Sequence, residues 1–145
     1  MEFQIYIKEE NSKLPVSPEK LKLITQSVYS MTNSRKWDIS LVVCNDEFIT
    51  TLNKKYRNRD FPTDVLSFSM DEGKGPHFES PILGDIIISI DTAQTQAEML
   101  HETLQEEFFT LYIHGLLHLL GYTHDSKEEE DKMMSMTSKI LSEVM

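Results

Sequence analysis

Cysteine is nearly missing from this sequence. Cys44 is the only one in 145 residues, so no intrachain disulfide can form and no cysteine-based zinc site can be built. A reducing compartment suits such a chain. Basic charge is also in deficit: the formal charge of −10 and the pI near 4.9 argue against a partner held chiefly by global attraction to phosphate, and DNA is not expected. No apolar run is long enough to span a membrane, because histidine, glycine and threonine interrupt the longest one. The start, MEFQIYIKEE, is strand-like and quickly charged, without the basic start, apolar run and small-residue cleavage site of a secretory signal. These absences lead to the expectation of a soluble, cytoplasmic protein with no membrane partner.

What is present alternates between two periods. Phe3, Ile5 and Ile7 predict a half-buried strand over Glu2 to Lys8. Ser17-Pro18-Glu19 opens a helix whose inward face is Leu21, Ile24, Val28 and Met31. WDISLVVC, from Trp37 to Cys44, reads as a central strand, and Asn45 caps a helix with the stripe Phe48, Ile49, Leu52 and Tyr56. Val65 to Met70 and Leu83 to Ile90 read as strands separated by a mobile loop, Asp71 to Pro81, rich in glycine and proline. Asp91 is expected to cap a helix running to about Leu100. Ser126 with Glu129 forms a capping box for a last helix that faces inward through Met133, Thr137, Ile140, Leu141 and Val144. The fold class is therefore α+β: a small mixed sheet of about four strands covered by about five helices, with a central buried helix carrying metal ligands. By length, residues 1–145 form one domain.

That central helix lies between Glu106 and Asp125. Its first turns are almost unbroken Phe, Leu, Ile and Tyr, yet His114 and His118 interrupt them four residues apart. Such a pair shares one helical face with Cβ atoms about 5–6 Å apart. Gly121 is placed to stop the helix in the left-handed conformation, and the reversal brings His124 toward the same face. A lone histidine on an apolar helix is ordinarily a core residue with a hydrogen bond. Three in the order HxxxHxxGxxH suit a divalent transition metal, zinc above all, with an open position of the kind catalytic sites keep. His114, His118 and His124 are the candidate ligands.

Charge is unevenly distributed. Lys54, Lys55, Arg57 and Arg59 bunch where cations suit a helix C-terminus, while Glu128, Glu129, Glu130 and Asp131 open the last helix. The cluster Met133, Met134 and Met136 has helical spacing and is read as core packing. Asp64, in a Pro-Thr-Asp turn, is read as fixing its own backbone. Tyr56 and Phe61 could stack on bases, or could simply be buried.

The run HGLLHLLGYTH, together with LNKKYRNRDFPTDVLSF and LGDIIIS, resembles the YbeY family of bacterial and organellar metal-dependent endoribonucleases. The likeness covers the chain from about Leu52 to His124. It implies a zinc site of His114, His118 and His124, a functional arginine at Arg57, cleavage of single-stranded RNA, and roles in ribosomal RNA maturation and ribosome quality control. It also implies a ribosomal small-subunit protein and an assembly GTPase as partners. Two positions depart from the family pattern: Thr123 stands where aspartate is usual, and Ser69 where proline follows SF.

The chemistry can be argued from residue types as well. Zinc acidifies water to a pKa near 7, so that metal-activated water can attack a phosphodiester. A guanidinium offers paired donors to the charge that develops on the phosphoryl oxygens. Arg57 and His114 are the catalytic candidates, and Lys54, Lys55 and Arg59 the candidate substrate contacts. Two alternatives compete. HxxxHxxGxxH is also the ligand spacing of metzincin peptidases, but those place a glutamate base after the first histidine, where this chain has Gly115. The other is a ribosome-binding module in which the metal only pins the helix to its turn.

Overall fold

Two six-residue runs, ISLVVC and GDIIIS, lack the polar alternation of a half-exposed strand, and strands of that kind need cover on both faces. In the computed structural model, which describes residues 3–70 and 82–144, they are the two inner strands of a sheet. The elements in chain order are β1 (Ile5–Glu10), α1 (Pro18–Met31), β2 (Ile39–Cys44), α2 (Asp46–Arg57), β3 (Val65–Ser69), β4 (Gly84–Ser89), α3 (Ile90–Met99), α4 (Leu104–Leu119) and α5 (Lys127–Val144). The strand order is β1-β2-β4-β3, with β1, β2 and β4 parallel and β3 antiparallel on the edge. This is the expected α+β arrangement, a four-stranded mixed sheet with five helices.

Successive residues of a strand point to opposite faces, so each inner strand feeds two cores. Leu41, Val43, Ile86 and Ile88 join the larger one with residues of α1, α4 and α5. Val42, Cys44 and Ile87 point the other way, to Ile49 of α2 and to Leu66 and Phe68 of β3. Within the larger core α4 is the best-covered helix: Phe108, Tyr112, Ile113, Leu116 and Leu117 are fully buried. Its one buried hydroxyl is satisfied, since Tyr112 lies 2.6 Å from Thr25 Oγ1 of α1.

Local chemistry sets most boundaries as expected. The Ser17 side chain accepts from Lys20 N with Pro18 in the first turn, and Asn45 Oδ1 accepts from Phe48 N. Helix α4 adds a capping box, in which Thr103 N donates to Glu106 Oε1 and Glu106 N to Thr103 Oγ1. One cap is corrected. Ser89, not Asp91, caps α3, because the Asp91 carboxylate instead accepts from Asp46 N at the start of α2, 2.9 Å away. The first strand begins at Ile5 rather than Glu2, and in α2 the fully buried residues are Ile49 and Asn53. The loop expected over Asp71 to Pro81 lies outside the described residues. Among the described residues no helix is long and apolar enough to cross a membrane.

Candidate functional site

Helix α4 is apolar around nearly its whole circumference, but a polar stripe runs along one side. Glu107, Leu111, His114 and His118 follow at intervals of four, three and four, which places them on one line. The stripe faces a recess of about 580 Å³ between α4, β3, the end of α2 and the start of α5. Leu111, His114 and His118 line it, and so do Arg57, Asp64 and Ser67 on one side and His124, Glu130, Met133 and Met134 on the other.

The helix ends as the glycine predicts. Gly121 has φ +101°, Gly121 N donates to His118 O, and Tyr122 N donates to Leu117 O, which is the double-bonded left-handed stop. The turn has a chemical consequence. His118 Nδ1 lies 3.0 Å from Tyr122 O, and a carbonyl can only accept, so the proton sits on Nδ1 and the Nε2 lone pair stays available. His124, exposed on the turn, meets His118 edge-on with ring centroids 4.9 Å apart. His114 Nε2 is buried without a hydrogen-bond partner. Burial, and then its neighbour His118, push the His114 pKa down, with Asp64 opposing. Burial also lowers that of His118, against the pull of the Tyr122 carbonyl. Both rings therefore favour the neutral form that a metal needs.

As placed, no three His, Cys, Asp or Glu side chains among the described residues stand close enough together to hold an ion. The donor set still fits a transition metal in its chemistry: one imidazole with an orphaned nitrogen, a second whose tautomer is fixed by a backbone carbonyl, and a third beside it.

Arg57 closes the other side. It is half-buried at the end of α2, its Nη2 donates to Ser67 O at 2.9 Å, and its guanidinium carbon lies 4.5 Å from the Phe68 ring centroid. A planar cation held by a carbonyl and an aromatic face keeps a fixed direction. The other cations of the bunch do not reach this recess. Lys54 pairs with Asp60 at 3.7 Å, Lys54 and Lys55 line a separate recess with Thr50 and Thr51, and Arg59 is exposed. Asp64 does fix its own backbone, accepting from Val65 N at 2.7 Å, and it lines the recess as well. Tyr56 packs edge-on against Phe68, while Phe61 is exposed.

Gly115 explains how α4 can lie so close to the sheet. A Cβ there would stand 3.0 Å from Ile86 Cγ2 and 3.2 Å from Ser67 Oγ, and that hydroxyl donates to the Gly115 carbonyl. Any side chain here, a glutamate base of the metzincin kind included, would have to push Ile86 or Ser67 aside by a few tenths of an ångström.

Two residues that line the recess escaped sequence reasoning, and so did one buried carboxyl on α4 that does not line it. Glu107 is buried, and burial, with Glu102 and Asp64 nearby, pushes its carboxyl up to about 7. Its place in the stripe was the available signal. Glu130 and Met134 reach the recess only because α5 returns alongside α4, which no local pattern announces. Met133 is core, as expected, but Met134 is not, being 53% exposed.

Comparison with known proteins agrees with the residues. A family model described as Endoribonuclease YbeY matches residues 6–145. The chain is 49% identical over 112 residues to an Endoribonuclease YbeY from Heliobacterium modesticaldum, covering 72% of this chain and 68% of that protein. It is 42% identical over 131 residues to one from Sulfurihydrogenibium, covering 90% and 85%. A solution structure of a Thermotoga maritima protein superposes with a TM-score of 0.61 over 94% of this chain and 90% of that one; at 24% identity it speaks for the fold alone. With a match over nearly its whole length and relatives this similar, the chain belongs to the YbeY endoribonuclease family.

Proposed function

We propose that this protein is a zinc-dependent, single-strand-specific endoribonuclease that acts in the cytoplasm in ribosomal RNA maturation and ribosome quality control. The observation that carries the proposal is a single recess in which Arg57 faces His114 and His118, in a chain whose family is described as endoribonuclease. His114, His118 and His124 would hold the metal. When bound, zinc supplies Lewis acidity, acidifying water to a pKa near 7 and polarising a phosphoryl oxygen.

The chain's own residues do the rest. Arg57, held by the Ser67 carbonyl at the edge of the recess, sets its positive charge toward the oxygens of the phosphodiester, where negative charge grows in the transition state. The Tyr122 carbonyl holds the proton of His118 on Nδ1, so the opposite nitrogen faces the recess unprotonated. Burial keeps His114 neutral at physiological pH. Asp64, tied to Val65 N, gives the recess a fixed negative charge beside His114. By resemblance, the partners are a ribosomal small-subunit protein and an assembly GTPase, with single-stranded or ribosomal RNA as substrate.

The test incubates metal-quantified protein with labelled single-stranded RNA and with casein, beside His114→Ala purified identically. The expected result is cut RNA, intact casein and an inactive variant. RNA cleavage undiminished in the variant, or cleavage of casein alone, overturns the proposal.

A further inference from the structure

On its α5 side the recess changes character. Met133 and Met134 form that wall, beside Leu111 of α4. Met133 and Leu111 are buried, as core residues should be, but Met134 is 53% exposed. Among the exposed positions of α5 it is the one apolar residue; the others are Lys, Glu, Asp and Ser. A single exposed apolar residue is ordinary in itself; what distinguishes Met134 is that it lines the same recess as Arg57, His114 and His118.

Charge divides the recess. Arg57 marks the end that attracts phosphate. Glu130, one turn before Met134 on the same wall, repels phosphate from that end. A nucleotide whose phosphate sits at Arg57 must therefore lay its uncharged part along the methionines. We propose that Met134, which shares the lining of this recess with Met133 and Leu111, is the platform on which a nucleobase next to the scissile phosphate lies face-on. This rests on the nuclease function above and adds a binding subsite to it.

The chemistry of methionine sets what such a platform can select. Its sulfur is polarisable and its side chain unbranched and adaptable, so it packs against any aromatic ring without reading hydrogen-bonding groups. The subsite accepts purines and pyrimidines alike. It also gives a physical ground for preferring single strands, because a base can offer its face only when it has left its stack, and a duplex resists that.

The test has a binding arm and a cleavage arm. Protein labelled with 13C at the methionine methyls is titrated with uridine 5′-monophosphate, adenosine 5′-monophosphate and ribose 5-phosphate, Met134→Leu assigning the resonance. The expected result is a ring-current shift of the Met134 methyl with both nucleotides and none with ribose phosphate. Equal responses to all three, or no nucleotide-specific shift up to the solubility limit, overturns the platform. In the cleavage arm, Met134→Ala raises KM about threefold to tenfold with kcat retained, and Met134→Leu restores most of the loss. An abasic site beside the cut costs the wild type the same factor and costs Met134→Ala nothing further. If the wild type cuts RNA but neither change alters KM, the platform falls and the nuclease stands. If the wild type cuts no RNA, the nuclease falls, and the methyl spectra alone decide the platform.

Discussion

Two polar clusters interrupt the apolar body of this protein, and they are built in opposite ways. At the starts of α2 and α3, Asp46 Oδ1 accepts from Ser89 Oγ and from Thr92 Oγ1, each at 2.6 Å, while Asp46 N donates to Asp91 Oδ2. There the polar atoms answer one another, and the result is a clamp between two helices. At the far end of α4, His114 Nε2 is buried without a hydrogen-bond partner, and the neighbouring rings of His118 and His124 meet in a T-shaped pair. An unanswered buried polar atom costs about 1–3 kcal/mol. The first cluster is complete within the chain, whereas the second has a donor set that fits the metal proposed above.

The sharpest way to break this contrast is to exchange the consequences of mutation. Arg57→Ala is expected to lower the rate of RNA cleavage by about 10²–10³-fold, the usual cost of removing one donor aimed at developing charge, with folding intact. His114→Ala should abolish cleavage, yet leave the metal-free protein within about 1 kcal/mol of wild type in urea, because the lost ring was itself incompletely satisfied. Added zinc should raise the midpoint of the wild type by mass action and leave that of the variant where it was. A large loss of metal-free stability in His114→Ala would make the histidine cluster a second clamp and remove the distinction.

Glu107 sits between the two kinds of group, and its effect depends on pH. Its carboxyl titrates near 7 in the folded chain, above the ordinary carboxyl value, because of burial and the nearby carboxylates Glu102 and Asp64. The folded state thus binds its proton more tightly than the unfolded state. Stability from this group is complete below about pH 4.5 and is lost as pH rises through 7, by about 3 kcal/mol at most. Glu107→Gln should therefore match the wild type near pH 4.5 and exceed it near pH 8. Urea titrations of both proteins across that range check it, and taking the difference cancels titration shared by the two, including that of the histidines. Parallel curves would mean that the carboxyl is not held in its protonated form by the fold.

In the clamp, Asp46→Ala should cost about 2–3 kcal/mol, since two charge-assisted bonds go and two hydroxyls lose their acceptor. Cleavage per folded molecule should not change. Active-site titration beside thermal unfolding separates the two quantities, and a fall in specific activity would connect the clamp to the recess.

How far each cluster could be read from the sequence follows from how far apart its members lie along the chain. Ser17-Pro18, Asn45 and Gly121 act on backbone within a few residues, so their caps were legible. The spacing of His114 and His118 was legible for the same reason, as was the largely apolar, non-alternating character of the inner strands. The clamp was not. Asp91 looks like a cap, and only a partner 45 residues away, reached because β2 and β4 are adjacent, shows why Ser89 has that role instead. The bunch at the end of α2 divides in the fold: Arg57 lines the recess, while Lys54 and Lys55, three and two residues away on the helix, point in other directions and Arg59 lies beyond the helix end. Glu130 and Met134 join the site through the path of α5, a tertiary fact with no local signature.

The smallest effect expected concerns Thr123, where the chain departs from its family's usual aspartate. Its hydroxyl donates to Glu129 Oε2 at 2.7 Å, and Ser126 Oγ donates to the other oxygen at 3.1 Å. Those two donors hold the Glu129 carboxyl below its usual range, the Thr123 bond contributing most. Thr123→Val should return that pKa toward the ordinary value, and Thr123→Asp should carry it higher by putting a like charge where a donor stood. Carboxyl carbon shifts followed against pH measure both. Because Glu129 is exposed and outside the recess, neither change should alter zinc affinity through it. If Thr123→Asp nevertheless tightens zinc binding, the new carboxylate must act directly on the neighbouring His124, and the threonine would mark a site tuned to a weaker hold on its metal.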